Sequence, residues 1–177
     1  HGGWLVPYVD EQFMARVSEG VQRLSALLLG RRTYEIFASS WPLTGPDDPI
    51  GSKLNAVPKY VASRTLDAVS WQNSTLLKGD TVEAVRGLRA GDGGEIQVHG
   101  SGGLVQTLVE HDLVDEFHLM VAPALVGSGK RLFAGGTVPA GLQLVDSVAT
   151  GSGVLMCRYA RAGKLEYGAI GPETGNW

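Results

Sequence analysis

The sequence predicts an α/β fold in three layers (α/β/α), with a mostly parallel central sheet that ends in an antiparallel C-terminal hairpin. Short apolar runs that read as strands alternate with stretches at helical spacing, which argues for parallel strands joined by crossover helices. Past Pro123 the alternation stops, and two strand-like segments follow, separated by Gly151-Ser152-Gly153. The chain has 177 residues, of which 44% are apolar and 19% charged, enough for one globular domain with a sizeable core.

Val9, Phe13, Val17, Val21 and Leu24 recur at helical spacing, so residues 8–25 read as a long amphipathic helix, with Pro7 suited to its start. Leu27-Leu28-Leu29 reads as a buried strand. Thr33 to Ser40 reads as a helix that ends at Trp41-Pro42, because proline disfavours helical geometry in the residue before it. Residues 44–51 read as a loop, followed by strands at Lys59–Ser63 and Ser74–Leu77. Val82, Val85 and Leu88 mark a helix between Asp80, a suitable N-cap, and Ala90. Glu95–His99 alternates as a strand, and Leu104, Val105, Leu108 and Val109 mark a helix that His111 ends. Phe117, Leu119 and Val121 alternate in the next strand. Leu142–Val148 and Val154–Tyr159 form the hairpin. Residues 1–162 are read as a single domain and 163–177 as a turn-rich tail.

A net charge of −3 argues against a general nucleic-acid binder. The single Cys157 excludes an intrachain disulfide and a cysteine-based metal cage, and no metal site is expected. With no apolar run of membrane-spanning length and no signal peptide, no membrane association is expected and the cytoplasm is the expected compartment.

Three strand ends carry the chemistry: LLLG-RRT, YVAS-RTL and IQVHG-SGG. Ligands of open α/β sheets collect at the carboxyl ends of the strands, and a helix start there offers unpaired N–H groups to a phosphate. Gly100, Gly102 and Gly103 admit close approach of a diphosphate to the backbone. Taken singly, each has a plainer reading: a structural turn for GSGG, a solvated pair for Arg31-Arg32. Together they point to a nucleotide diphosphate. Trp4, in a glycine-rich stretch, suits either core packing or the wall of a flat ligand's site.

The residues LLGRRTYE (Leu28 to Glu35), PKYVASRTL (Pro58 to Leu66), VHGSGGLVQTL (Val98 to Leu108) and LVDEFHLMVAPALVGSGKRLF (Leu113 to Phe133) stand in an order that resembles the dihydrofolate reductase-like family. The resemblance is closest to the reductase domain of the bifunctional riboflavin-biosynthesis deaminase–reductase and its stand-alone relatives. It implies that fold and NADPH as cofactor. Gly30, Arg31, Arg32 and Thr33 match the loop and helix start that grip the adenosine phosphates. Ser63 and Arg64 match the strand end near the 2′-phosphate, and Gly100, Ser101, Gly102, Gly103 and Leu104 match the loop on the diphosphate.

The implied reaction is hydride delivery to a carbon bonded to nitrogen, in a pterin-like or pyrimidine-ribosylamine small molecule. The alternative is a non-catalytic nucleotide-binding protein that keeps the fold. Asp10 is the candidate proton-handling carboxylate, because Trp4-x-x-Pro7-x-x-Asp10 is similar to the W-x-x-P-x-D of dihydrofolate reductases with one residue added. Asp10 also suits the first turn of a helix. Trp4, Lys130 and Arg131 are candidate substrate contacts, the last two for a substrate phosphate. Relatives dimerise, and a homodimer is expected. The family opens with a central strand, so about 20 to 30 further residues are expected ahead of His1.

Overall fold

Leu24–Gly30 forms β1, the strand on which both halves of the core are built. Its leucine run is buried on both faces, as a strand inside a parallel sheet requires. Leu27 and Leu29 point into one apolar cluster with Val21, Tyr34, Leu54, Val61 and Trp71. Leu28 points into a second, with Val85 and Leu108. The computed structural model describes residues 3–133 and 137–171, so the last six positions of the expected tail lie outside the described residues.

The first cluster is closed by α1 (Glu11–Arg23), α2 (Arg31–Ser40) and α3 (Pro49–Ala56). The second is closed by α4 (Thr81–Arg89) and α5 (Gly102–Glu110). Between these layers runs a parallel sheet in the order β3-β2-β1-β4, where β2 is Lys59–Ala62, β3 is Ser74–Leu77 and β4 is Glu95–Val98. The strands β5 (Glu116–Val121), β6 (Leu142–Ala149) and β7 (Leu155–Arg161) pair antiparallel in the order β5-β7-β6. This is the three-layer α/β/α architecture the sequence predicts. No helix among the described residues is long and apolar enough to cross a membrane.

Four local expectations are corrected. The antiparallel strands form a sheet of their own: among the described residues β4 and β5 each keep an unpaired edge, and both line a cleft of about 850 Å³ with Ile96, Val98, His118 and Met120 among others. The first long helix begins at Glu11, since Pro7 starts a separate 3-10 turn (Val6–Tyr8) and Asp10 caps the helix proper. That helix ends at Arg23, because Leu24 turns extended and joins β1. The expected loop at 44–51 contains the start of α3, where the Asp48 carboxylate accepts the N–H groups of Ile50 (2.9 Å) and Gly51 (3.1 Å) and Pro49 fills the first helical position.

Lys59 opens β2 with its side chain fully buried. Its ammonium donates to the carbonyls of Asn55 (3.1 Å) and Val57 (2.7 Å) at the end of α3 and lies 4.4 Å from the centroid of the Trp71 ring. Helix C-terminal carbonyls need donors, and a cation there meets the favourable end of the helix dipole. Burial nonetheless pushes the pKa of Lys59 down from 10.5 to about 8. The unfolded chain therefore binds more protons than the folded one between those values, and the stability contributed by this group rises with pH across that window. We expect the unfolding free energy of the wild type, measured against Lys59→Met in urea, to gain about 2 kcal/mol between pH 7.5 and pH 10. A constant difference would show that the lysine keeps its charge when buried.

Candidate functional site

Parallel pairing sets three strand ends side by side. Gly30 is level with Ala62 across β1 and β2, and Leu28 is level with Val98 across β1 and β4. Gly30-Arg31, Ser63-Arg64 and the Gly100 loop thus leave the sheet at one edge, and two helices start there.

The helix starts differ in one respect. α1, α3 and α4 are each capped by an aspartate: Asp10 accepts the Phe13 N–H at 2.8 Å, Asp48 serves α3, and Asp80 accepts from Val82 at 2.7 Å and Glu83 at 3.1 Å. α2 and α5, which follow the adjacent strands β1 and β4, have no side-chain cap and no acidic residue in the first turn. Their opening N–H groups and the positive ends of their dipoles are left for something else.

The two starts are in direct contact. Ser101 Oγ accepts the Gly30 N–H at 2.8 Å and donates to Thr33 Oγ1 at 3.0 Å. A Cβ on Gly30 would stand 3.2 Å from Ser101 Cβ and Oγ, a contact tighter than most, and glycine avoids it. Gly100 adopts φ +56°, the left-handed region that glycine enters without strain. Gly103 is different: its φ is not positive, and a Cβ there would meet nothing within 4 Å. Leu104 lies behind, packed in the second core cluster.

Cations surround this edge. Arg31 is engaged, donating to Glu35 Oε1 and Thr65 Oγ1, both at 2.7 Å. Arg32 and Arg64 are exposed, and neither forms an ion pair among the described residues. Ser63 Oγ accepts the N–H groups of Thr65 (3.2 Å) and Leu66 (3.1 Å), which turns the chain so that Arg64 leaves the strand end. Lys130, from the segment after β5, lies beside the α5 start: its Cδ is 3.8 Å from where a Gly102 Cβ would be. This placement, which no local pattern in the sequence signals, brings a candidate substrate residue to the glycine loop. Arg131, its neighbour, is exposed.

Asp10 and Trp4 occupy another part of the molecule. Trp4 lies half-exposed in the turn before the first 3-10 helix. Besides capping α1, Asp10 accepts the Ser152 N–H at 2.7 Å, while Gln12 accepts from Gly151 at 2.8 Å and Ser152 Oγ donates to the Tyr8 carbonyl at 2.5 Å. Both carboxylate oxygens thus hold backbone donors and tie the start of α1 to the β6–β7 turn. The Phe13 N–H is the chief cause that lowers its pKa below 3.8, and burial opposes it. Within the cleft, burial and then the nearby His118 lower the pKa of His99.

The model of the RibD C-terminal domain matches residues 3–156. The chain belongs to the RibD C-terminal domain family. Membership joins it to a riboflavin-biosynthesis reductase-like family, whose chemistry is that of oxidoreductases with a nicotinamide cofactor. Bacillus subtilis (strain 168) has a similar protein, YyaP, named as uncharacterized, which is 28% identical over 144 residues and matched over 78% of this chain and 75% of its own. A candidate riboflavin biosynthesis protein from Shewanella sp. PV-4 superposes with a TM-score of 0.66 at 25% identity, over 87% of this chain and 81% of that one. The fold is also that of Acinetobacter baumannii RibD, with a TM-score of 0.61 at 10% identity, over 87% of this chain and 51% of the RibD chain. The RibD-type fold places the uncapped helix starts at the carboxyl edge of its parallel strands, where α/β proteins take their ligands.

The bonds of Asp10 predict a stability effect with a definite pH sense. Its folded pKa is depressed, so its contribution is present above the unfolded value of 3.8 and fades as pH falls through that value toward the folded one. Asp10→Asn should melt below the wild type at pH 7, and the gap should narrow as pH falls below 3.8 in calorimetric scans. A gap that widened with acidification would contradict the assignment.

Proposed function

We propose that the chain is an NADPH-dependent reductase that delivers hydride to a carbon bonded to nitrogen in a small molecule of the pterin or pyrimidine-ribosylamine type. The observation that carries this reading is the pair of uncapped helix starts, α2 and α5, held together at one sheet edge while the other three α-helices are capped by aspartate. A bound diphosphate is an anion that satisfies such N–H groups.

The residues present fit the cofactor. Gly102 and Gly103 leave the α5 start without side chains, and the Cβ direction of Gly103 is open. These residues, with Gly100 and Leu104, would hold the diphosphate. Arg31 and Arg32 with Ser63 and Arg64 would hold the adenosine side, where the guanidiniums of Arg32 and Arg64, without an ion pair among the described residues, suit the dianionic 2′-phosphate that separates NADPH from NADH. When bound, the nicotinamide supplies the hydride. Lys130 adds a positive charge beside the α5 start, within reach of an anionic group of cofactor or substrate.

We further infer that the enzyme works as a two-fold homodimer. β6 is an eight-residue strand paired only with β7 among the described residues, and it shows Leu142 (40%), Leu144 (50%) and Val145 (44%) to solvent. A long apolar edge is a pairing site unless covered, and a second copy related by a two-fold axis covers it with its own β6. Light scattering at micromolar concentration should give twice the chain mass, and Leu144→Lys should give the single mass.

Titrating NADPH and NADH by nicotinamide fluorescence tests the cofactor. A charge-assisted hydrogen bond to the 2′-phosphate is worth about 1.5 to 3 kcal/mol, so NADPH should bind roughly ten- to hundredfold more tightly. Arg64→Ala should lose most of that preference, and equal affinities in the wild type would defeat it. Gly103→Val examines the cradle. Its side chain enters space open in the folded protein, so the melting temperature should hold within a few degrees while NADPH affinity falls at least tenfold. NADPH oxidation with pteridines and pyrimidine ribosylamines then tests turnover; binding without turnover of any would identify a nucleotide-binding protein.

A further inference from the structure

We propose that Ser101 is a positioning residue that fixes the spacing between the two helix starts, so that one ligand with two separated phosphate groups meets both. The inference rests on the nucleotide reading above and assigns Ser101 a role other than phosphate contact.

Ser101 stands in the N-cap place of α5, where a serine hydroxyl ordinarily accepts an N–H of its own helix. Here it makes no such bond. Its Oγ instead accepts the N–H of Gly30, the N-cap residue of α2, at 2.8 Å, and donates to Thr33 Oγ1 at 3.0 Å, with the His99 carbonyl at 3.3 Å as a second acceptor. A hydroxyl has one hydrogen and two lone pairs, and the neighbouring helix takes the hydrogen and one lone pair. Ser101 also holds φ +60° and ψ +47°, a left-handed conformation that a serine adopts at a cost. The strain persists because surrounding contacts fix it. Gly30, lacking a Cβ, lets Ser101 approach without the 3.2 Å contact a side chain would make, and Gly100 lies 3.5 Å, measured from its Cβ position, from Thr33 Oγ1.

The consequence is an exchange. By capping α2's neighbour residue in place of its own helix, Ser101 leaves the opening N–H groups of α5 free and at the same time anchors them relative to α2. Neither gap in the capping pattern is a defect if one ligand spans both. A direct phosphate contact by Ser101 would take the one hydrogen that its hydroxyl now gives to Thr33 Oγ1.

The test uses Ser101→Gly, which removes the hydroxyl and relieves the left-handed strain, with Ser101→Ala as a second variant and Thr33→Val as the partner change. Two ligands are titrated: NADPH, which reaches both helix starts, and adenosine 2′-phosphate, which reaches only one. We expect Ser101→Gly to weaken NADPH about tenfold and to change adenosine 2′-phosphate less than twofold. We expect Ser101→Gly with Thr33→Val to bind NADPH no worse than Ser101→Gly alone. In the free protein, the Gly30 amide should exchange its hydrogen at least tenfold faster in Ser101→Gly. Unchanged NADPH affinity, equal losses for both ligands, additive losses in the double variant or an unchanged Gly30 exchange rate would each overturn the positioning role while leaving the nucleotide reading standing. A wild-type protein that binds neither ligand would instead overturn the nucleotide reading and the inference with it.

Discussion

The pairing of β1 between β2 and β4 is the constraint on which the other features depend. Its register is enforced from both faces. Leu27 and Leu29 enter one cluster and Leu28 the other, so a slip by one residue would exchange every side chain between two differently shaped cores. The same register puts Gly30 beside Ala62 and two residues beyond the Leu28–Val98 level. Packing deep in the sheet thereby determines where three loops emerge, and the loops inherit an alignment that they could not hold alone. The Tyr34 hydroxyl, accepting the N–H groups of Ser70 (2.7 Å) and Trp71 (3.0 Å), extends that control from α2 to the chain beyond Arg64.

Electrostatics divide the molecule along the same line. The chain carries −3 overall, yet the carboxyl edge of the parallel sheet gathers Arg31, Arg32, Arg64 and Lys130 around two positive helix ends. Asp80 caps α4, which follows β3 at the outer end of that same edge, and Asp10 and Asp48 cap α1 and α3. A carboxylate at the start of α2 or α5 would stabilise the helix and repel the phosphate, so the two uses of a helix start exclude one another. Among the arginines, Arg31 reaches Thr65 and Glu35 and joins α2 to the turn after β2, which leaves its neighbour Arg32 to face outward. The adjacent arginines that stand out in the sequence therefore have separate tasks.

What was legible in the sequence was local. The leucine run, the alternation in β4 and β5 and the glycine loop each announce themselves within a few residues, and all lie where the pattern put them. Asp48-Pro49 was an equally local signal for α3, hidden by the surrounding turn-forming residues of 44–51. Leu24 satisfies helical spacing from Val17 and Val21 as well as the strand, and only burial in the sheet decides between them. Contacts distant in sequence left no trace. Ser101 and Gly30 are 71 positions apart, Asp10 and Ser152 are 142 apart, and the buried ammonium of Lys59 is explained only by carbonyls and an indole that folding brings to it. The hydroxyl of Ser101 and the carboxylate of Asp10 read as candidate ligand and acid in the sequence, and the long-range hydrogen bond that each also closes to backbone on another element was not legible there.

The glycines at the shared edge show how a structural requirement is told from a ligand's requirement. At Gly30 a Cβ would press on Ser101 at 3.2 Å, and at Gly100 the backbone is left-handed. Both are explained without any ligand, and both would be needed in a protein that binds nothing. Gly103 has no such reason. It lies in the first turn of a helix, its φ is not positive, and its Cβ would touch nothing within 4 Å. An alanine there would fit, and in a helix it would stabilise the fold by roughly 0.5 to 1 kcal/mol relative to glycine. The protein forgoes that stabilisation at a helix start that also lacks a cap and an acidic first turn. Three departures from what stability favours coincide on one patch of backbone, and an anion drawn close to the N–H groups accounts for all three.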